Sequence, residues 1–506
     1  MATTHEKVEP SGESSTPPSI ETTNKEALVE TSDLGAVERR GFDAQATKAL
    51  IRKIDWVLIP FLALLYLLSF LDRTNIGNAR LADLEVSLGM DPKSLQYNTA
   101  LSAFFPWYVA AEIPSNLAMK RFRPSVWIPS IMVAWAIVCI AMGLVHNYAG
   151  LLAARMALGF AEGGLFPVVV TYFPLVWYRR HECGLRMAIF FSAATAAGAF
   201  GGLLARGIVE MKGVAGLGAW QWIFILEGIA TFIIAVTAYF VMQDYPDTAK
   251  FLTPTEKDEV MRRLEEDRSA LANEFDMKYF WDALKDWKIW VHMFITIGVY
   301  TPLYSFSLFL PTIIKSLGFT NDKTSQLMTV PPYVAACICC IGAGWLADKH
   351  GQRGIYMIFF NCVAIFGFIL LICSSNNHLK YAGTFFAAMG IYPNVPQGVA
   401  WNGNNIGGST KRGVGIAMHV GFGNLGGAIA GFLYRSKDAP MFYPGHGTLI
   451  ATETISTILA IIMTIYLRRE NARRNREFKP PSEYTFEEMT QEREKGDNAT
   501  FFRYTI

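Results

Sequence analysis

Apolar stretches long enough to cross about 30 Å of hydrocarbon recur at 54–75, 97–119, 125–145, 149–172, 184–206 and 221–241. They recur again at 288–310, 326–347, 355–375, 381–404, 413–434 and 450–467. The pattern predicts an all-α integral membrane protein of twelve transmembrane helices in two six-helix bundles. A polar segment from Gln243 to about Asp286 separates the sets, and its "TPTEKDEVMRRLEEDRSALANEF" opens on Thr253 or Thr255, with an acidic residue following, before a charged amphipathic helix. The expected organisation is a disordered arm over 1–50, a bundle over 51–242, a loop over 243–286, a second bundle over 287–468 and a tail over 469–506. The halves echo each other: Gly198 with Gly202 and Gly427 with Gly431 place small residues four apart after a basic turn. Such faces let helices approach closely, and their repetition suggests two related bundles packed on each other.

Composition supports this reading. Hydrophobic residues make up 52% of the 506 and charged residues only 17%, too apolar for an ordinary soluble enzyme. The 7 cysteines show no paired spacing for a disulfide scaffold, and Cys337, Cys339 and Cys340 lack the partners of a zinc site. No metal is expected. The first residues are polar, without the apolar core of a signal peptide. Basic residues are scattered, so the net charge of +2 does not point to nucleic acid. No triad, phosphate loop or metal cluster points to an enzyme.

Orientation follows from the basic residues. Lys120, Arg121, Arg123, Arg179, Arg180, Lys349, Arg353, Lys411, Arg412, Arg468 and Arg469 fall on the same side as Arg52 and Lys53. By the positive-inside rule that side, with both termini and the central loop, is cytosolic.

Ionisable groups inside spans are costly and generally face a bundle interior or cavity. The first span carries Asp72 and Arg73, the second Glu112, the fourth Arg155 and Glu162, the sixth Glu227, the seventh His292 and the eleventh His419. Arg73 sits roughly 25 Å along its span and Arg155 roughly 9 Å into its own, which brings both into the outer half. Arg155 and Glu162 share a helix face but lie about 10 Å apart along the axis, so each needs another partner. A guanidinium suits capture of a carboxylate; a desolvated Glu162 suits a proton carrier. The alternative is that Arg155 only ties its helix to Asp72, Glu112 or Glu227. Arg73 is a second candidate for the anion, Asp72 tunes or tethers, and Glu112 suits a gate, an anchor or a place in proton coupling. Glu227 reads as a structural pair, and His292 and His419 as packed side chains. In the tenth span Pro393 and Pro396 precede Trp401, Asn402, Asn404 and Asn405, whose carboxamides can bind a polar solute or the opposite bundle. In the seventh, Tyr300 and Tyr304 can wall a cavity. The candidate substrate residues are thus Arg155, Arg73, Asn402, Asn405, Tyr300 and Tyr304, and those for proton coupling are Glu162, Asp72 and Glu112.

The motifs "LDRTNIGNA" from Leu71, "YVAAEIPSNLAMKR" from Tyr108, "ARMALGFAEGGLFP" from Ala154, "FLPTII" from Phe309 and "NNIGGSTKR" from Asn404 resemble the anion:cation symporter family of the major facilitator superfamily. They are most similar to its fungal allantoate permease branch, which includes allantoate, nicotinate, pantothenate and biotin carriers. The resemblance runs from Asp55 to about Arg469. It implies that Arg155 and Glu162 act in anion recognition and proton coupling. "GWLADKHGQRG" from Gly344 resembles the superfamily's cytosolic loop signature, in which Asp348 and Arg353 would lock neighbouring helices as a gate. The seventh span lacks the basic residue of the animal branch, which favours a monocarboxylate. The resemblance implies a monomeric symporter in the lipid bilayer. It would move a small, vitamin-like or nitrogen-containing organic anion with protons as coupling ion and no cofactor, at the plasma membrane. An exporter, a carrier of the vacuolar membrane and a nutrient receptor without flux are the alternatives.

Overall fold

The computed structural model describes residues 42–91, 94–172, 176–179, 182–269, 277–318 and 322–506. Most of the arm expected over 1–50, together with Arg180, lies outside them. The chain divides into two compact units, Met1–Ile51 and Arg52–Ile506. Of the first, only the opening of a helix is described, where the Ala46 N–H donates to Asp43 Oδ1 at 2.6 Å.

The bundle helices are α1 (Ala44–Thr74), α2 (Gln96–Arg121), α3 (Pro124–Met142), α4 (Tyr148–Glu162), α5 (Cys183–Ile208), α6 (Ala219–Val241), α7 (Trp287–Ser316), α8 (Val330–His350), α9 (Gly354–Cys373), α10 (Asn377–Asn404), α11 (Ser409–Ala430) and α12 (Tyr443–Glu477). Polar residues set several of their starts. The Asn147 side chain accepts from the Gly150 N–H at 2.7 Å, Asp286 from Lys288 at 3.0 Å and Asn376 from His378 at 2.9 Å, each satisfying a donor that the first helical turn leaves free. In the polar segment, Thr253 and Glu256 form a reciprocal cap on the helix Pro254–Ser269.

Among the described residues, 10 helices are long and apolar enough to cross a membrane. The expected twelve spans are therefore supported for ten. The two long helices outside that group, α2 and α10, bury Asn98, Ser102, Glu112 and Ser115, and Asn394, Gln397 and Asn402. Polar side chains turned into the protein lower their mean apolarity without exposing those groups to lipid.

Two lobes result. Within the first, α4 packs on α2 and α3, and α3 on α6; within the second, α7 packs on α11 and α12, α9 on α10 and α12, and α8 on α10. The lobes meet through α5 with α8 and α10, α2 with α11, and the short helix Ile76–Leu81 with α7. The matched glycines lie at these seams. A Cβ on Gly202 would fall 2.5 Å from Thr329 Oγ1 and 2.6 Å from the Gln326 carbonyl, and one on Gly431 would fall 3.1 Å from the Ser102 nitrogen. Only a residue without Cβ permits either approach.

The span expected over 149–172 is interrupted, because α4 ends at Glu162 and a separate helix runs over Leu165–Tyr172. Gly163 and Gly164 fill the break, with a Gly163 Cβ landing 2.9 Å from Ala111 and a Gly164 Cβ 2.8 Å from Ser115, both on α2. The tail expected over 469–506 carries helix of its own. Helix α12 runs on to Glu477, and a capped helix over Phe486–Glu492 follows.

Candidate functional site

Asp72 and Arg73 are successive residues of a helix, so their side chains leave α1 about 100° apart and meet different neighbours. Asp72 turns into the first lobe. Its carboxylate accepts from Trp135 Nε1 on α3 at 3.1 Å and from Thr231 Oγ1 on α6 at 2.9 Å. It tethers three helices and does not pair with Arg73.

Arg73, 1% exposed, turns toward the seam between the lobes. Its Nη2 lies 2.5 Å and its Nε 3.1 Å from Glu162 Oε1, which also accepts from Ser69 Oγ at 2.5 Å. The third arm crosses to the second lobe, with Nη1 donating to the Tyr304 hydroxyl on α7 at 3.0 Å. The Tyr304 hydroxyl in turn donates to Asn424 Oδ1 at 2.6 Å, and Asn424 Nδ2 donates to Glu112 Oε1 at 2.8 Å. A continuous polar chain, Glu162 to Arg73 to Tyr304 to Asn424 to Glu112, thus passes from the first lobe through α7 and α11 and returns to α2. Aromatic rings wall it: the Arg73 guanidinium carbon lies 4.6 Å from the Tyr108 ring centroid and 5.2 Å from that of Phe104. Glu162 is the last residue of α4, where the negative end of the helix dipole disfavours a carboxylate. Arg73 is its counter-charge.

Arg155 is fully buried. Nε and Nη1 reach the carbonyls of Ala100 and Arg73 only at 3.4 Å, and Nη2 has no hydrogen-bond partner among the described residues. Its guanidinium carbon lies 5.0 Å from the Phe104 ring centroid. It forms no ion pair with Asp72, Glu112 or Glu227 within 4 Å, so the tie expected as its alternative role is not made. Glu227 does not form the structural pair expected of it either: it is 3% exposed, and neither carboxyl oxygen has a hydrogen-bond partner among the described residues.

Tyr300 borders the site, its ring 6.1 Å from Tyr304 and its buried hydroxyl without a partner among the described residues. Asn402 and Asn405 lie elsewhere. Asn402 Nδ2 donates to the Gly415 carbonyl at 3.1 Å, and Asn405 exchanges hydrogen bonds with the backbone of Thr505 in the tail. Both stand at the C-terminal end of α10, where their carboxamides bond the backbone of α11 and of the tail instead of lining the seam. Asp348 and Arg353 form an ion pair at the end of the bundle that carries the basic residues. Asp348 Oδ2 also accepts from the Leu185 N–H on α5 at 2.6 Å, which links the lobes. His292 packs edge-on to Trp401, and His419 bonds Thr296. Sequence reasoning missed Asn424 and Ser69. Asn424, a lone carboxamide in "HVGFGNLGG", was visible as a polar residue within an apolar span; Ser69 carried no such signal.

The sequence model described as the Major Facilitator Superfamily matches residues 62–431. An uncharacterized transporter of Schizosaccharomyces pombe is 34% identical over 474 residues, covering 93% of each chain. The MFS transporter prlL of a fungal species is 36% identical over 80% of this chain and 83% of its own. The MFS-type transporter cnsO of Penicillium expansum is 33% identical over 92% of each. Among solved structures, a bacterial homolog to the human lysosomal transporter Spinster, inward-facing and unoccupied, superposes with TM-score 0.60 at 13% identity. That match covers 82% of this chain and 96% of the other. The plasma-membrane location expected from sequence is not upheld: the fold is shared with a bacterial homolog of a lysosomal transporter and so is not tied to that membrane. The basic-residue pattern bears only on which side is expected to face the cytosol, a property shared by plasma and internal membranes.

Proposed function

Since the chain belongs to the Major Facilitator Superfamily, and is thus a secondary transporter and not an enzyme, we propose that it carries a small organic anion together with a proton by alternating access of its two lobes. The observation that carries this reading is Arg155, a buried guanidinium that has, among the described residues, no partner for Nη2 and no carboxylate bound to it. A buried cation without a counter-charge is costly, and a substrate carboxylate arriving beside Phe104 supplies the missing charge. Glu162 supplies the coupling. In the anion-free state its charge is balanced by Arg73; when an anion draws Arg73 away, the carboxylate is left uncompensated in a dry site and takes up a proton. Anion and proton then travel as a neutral load. The resemblance to allantoate-type permeases supports a monocarboxylate, and α7, whose lysines Lys288 and Lys315 stand only near its ends, offers little to hold a second carboxylate at the seam.

The carrier runs from the more acidic side, with the basic end facing the cytosol. The same chemistry moves an acid out of an acidic organelle, or exports it where the anion gradient dominates, so neither alternative needs a different site. The test is purified protein in liposomes with an imposed pH gradient and a panel of labelled monocarboxylates, dicarboxylates and their amides. We expect accumulation of a monocarboxylate on the alkaline side, abolished by a protonophore. Movement of amides or cations in place of acids would refute the anion reading, and acid movement indifferent to the gradient would refute the coupling.

A further inference from the structure

The segment after α12 takes no part in the central chain of hydrogen bonds, yet it makes a dense set of contacts of its own. Asp497 is fully buried at the basic end of the second lobe, in ion pairs with Lys288, near the start of α7, and Lys411, near the start of α11, the latter at 2.6 Å. Arg474 on α12 donates to the carbonyls of Asp497, Ala499 and Phe502 at 2.9, 3.1 and 2.9 Å. Asn471 bonds both backbone groups of Tyr504, and Thr505 exchanges hydrogen bonds with Asn405 while its carbonyl also accepts from Trp401 Nε1 at 3.0 Å. The Ile506 carbonyl accepts from the Arg353 N–H at 2.5 Å.

These contacts converge on the link between the lobes. Arg353 is ion-paired with Asp348, which accepts from Leu185 on α5 of the other lobe, and its Nη1 donates to Gln397 on α10 at 2.9 Å. Trp401, bonded to Thr505, packs close behind the neighbouring Gly354, where an added Cβ would lie 2.9 Å from the ring. The tail therefore holds the main chain of the very residue whose side chain closes this end.

We propose that residues 497–506 are a strap that binds the basic ends of α7, α9, α10, α11 and α12 into one body and, by fixing Arg353, holds the link between the lobes closed. Asp497 is its anchor. Burial pushes the Asp497 carboxyl up, but the Lys288 and Lys411 ammoniums outweigh that and hold it below the ordinary aspartate range. The groups facing it from every packed element are Lys288, Lys411, Arg474, Tyr504 and, through the shared lysines, Asp286. Its charge thus persists at neutral pH, and the strap is released by competition for the lysines instead of by mild acidification.

Cys183 tests this without any transported substrate. It is buried at the start of α5, beside Gly184, which packs against Asp348 and Arg353. In full-length protein with the other cysteines replaced, its alkylation rate reports opening of this end, and limited trypsin cleavage after Arg493 and Lys495 reports release of the tail. Asp497→Lys, which sets three ammoniums together, should speed both at least tenfold. The swap Asp497→Lys with Lys411→Asp should return both toward the wild-type rates, which also shows that the protein is folded. Release of the tail with unchanged Cys183 reactivity would overturn the proposal, and so would a single variant whose tail stays protected. Failure of the swap to restore Cys183 while the tail is re-protected would overturn it as well.

Discussion

Arg155→Met should make the empty carrier more stable while removing its preference for acids. The guanidinium is fully buried and, among the described residues, makes only two hydrogen bonds, both at 3.4 Å to carbonyls, and leaves Nη2 unpaired. Burying a charge costs several kcal/mol after relaxation, and exchanging buried charged groups for apolar ones of similar volume often stabilises by about 1–4 kcal/mol. Methionine fills a similar length beside Phe104 without a charge to desolvate. Since about 1 kcal/mol moves Tm by about 2–4 °C in a domain of 150–250 residues, and by less in a larger one, we expect a rise of a few degrees in detergent-solubilised protein. A substrate carboxylate held by charge-assisted hydrogen bonds loses about 1.5–3 kcal/mol, roughly ten- to more than a hundredfold in affinity. The assay is thermal unfolding with and without a transported acid and its amide. Wild type should be stabilised by the acid above the amide, and the variant by neither preferentially. A variant less stable than wild type that still prefers the acid would refute the reasoning and make Arg155 a structural anchor.

Other predictions follow the same geometry. Arg155→Lys keeps the charge but loses the planar fork, so half-saturation in uptake should rise by about tenfold or more. Glu162→Gln removes the group that exchanges Arg73 for a proton; acid-driven accumulation should vanish while counterflow exchange persists, and full pH-driven accumulation would move the proton to Glu112. Asp72→Asn keeps volume but gives the tether a poorer acceptor for Trp135 and Thr231, so thermal stability should fall by about 1–3 kcal/mol with acid-over-amide preference intact, as binding assays can check. For Asp497, whose folded value is depressed, the strap's stabilisation is present above the ordinary aspartate value of 3.8 and is lost as pH falls through the lower folded value. Tryptic protection of the tail should be flat from about pH 5 to 8. Cysteines placed at the exposed Lys349 and Val214 should be labelled from opposite sides of sealed vesicles; labelling from one side would overturn the topology.

The sequence by itself determined what could be counted along the chain. Apolar length located the helices because lipid leaves the backbone no other partners, and the cost of a charge in hydrocarbon singled out Arg73, Arg155, Glu162, Asp72 and Glu112 without any structure. The matched glycines marked the seams for a similar reason, since only close approach explains them. Which side chains meet was beyond that reach. Seven-residue spacing showed that Arg155 and Glu162 need other partners, but only the packing of α1 on α4 gave Glu162 to Arg73 and left Arg155 open. Asp72 and Arg73 are adjacent in sequence and act on different neighbours, because 100° of helix rotation sends one to α3 and α6 and the other to the seam. Asn405 looked like a ligand for a solute and instead holds the tail, and a tail of disordered composition is ordered by Lys288 and Lys411, which lie far from it in sequence. Burial cost is a property of one residue and its span, and so it can be read from a string. The identity of a partner depends on helix rotation and lobe docking, which contacts distant in sequence decide.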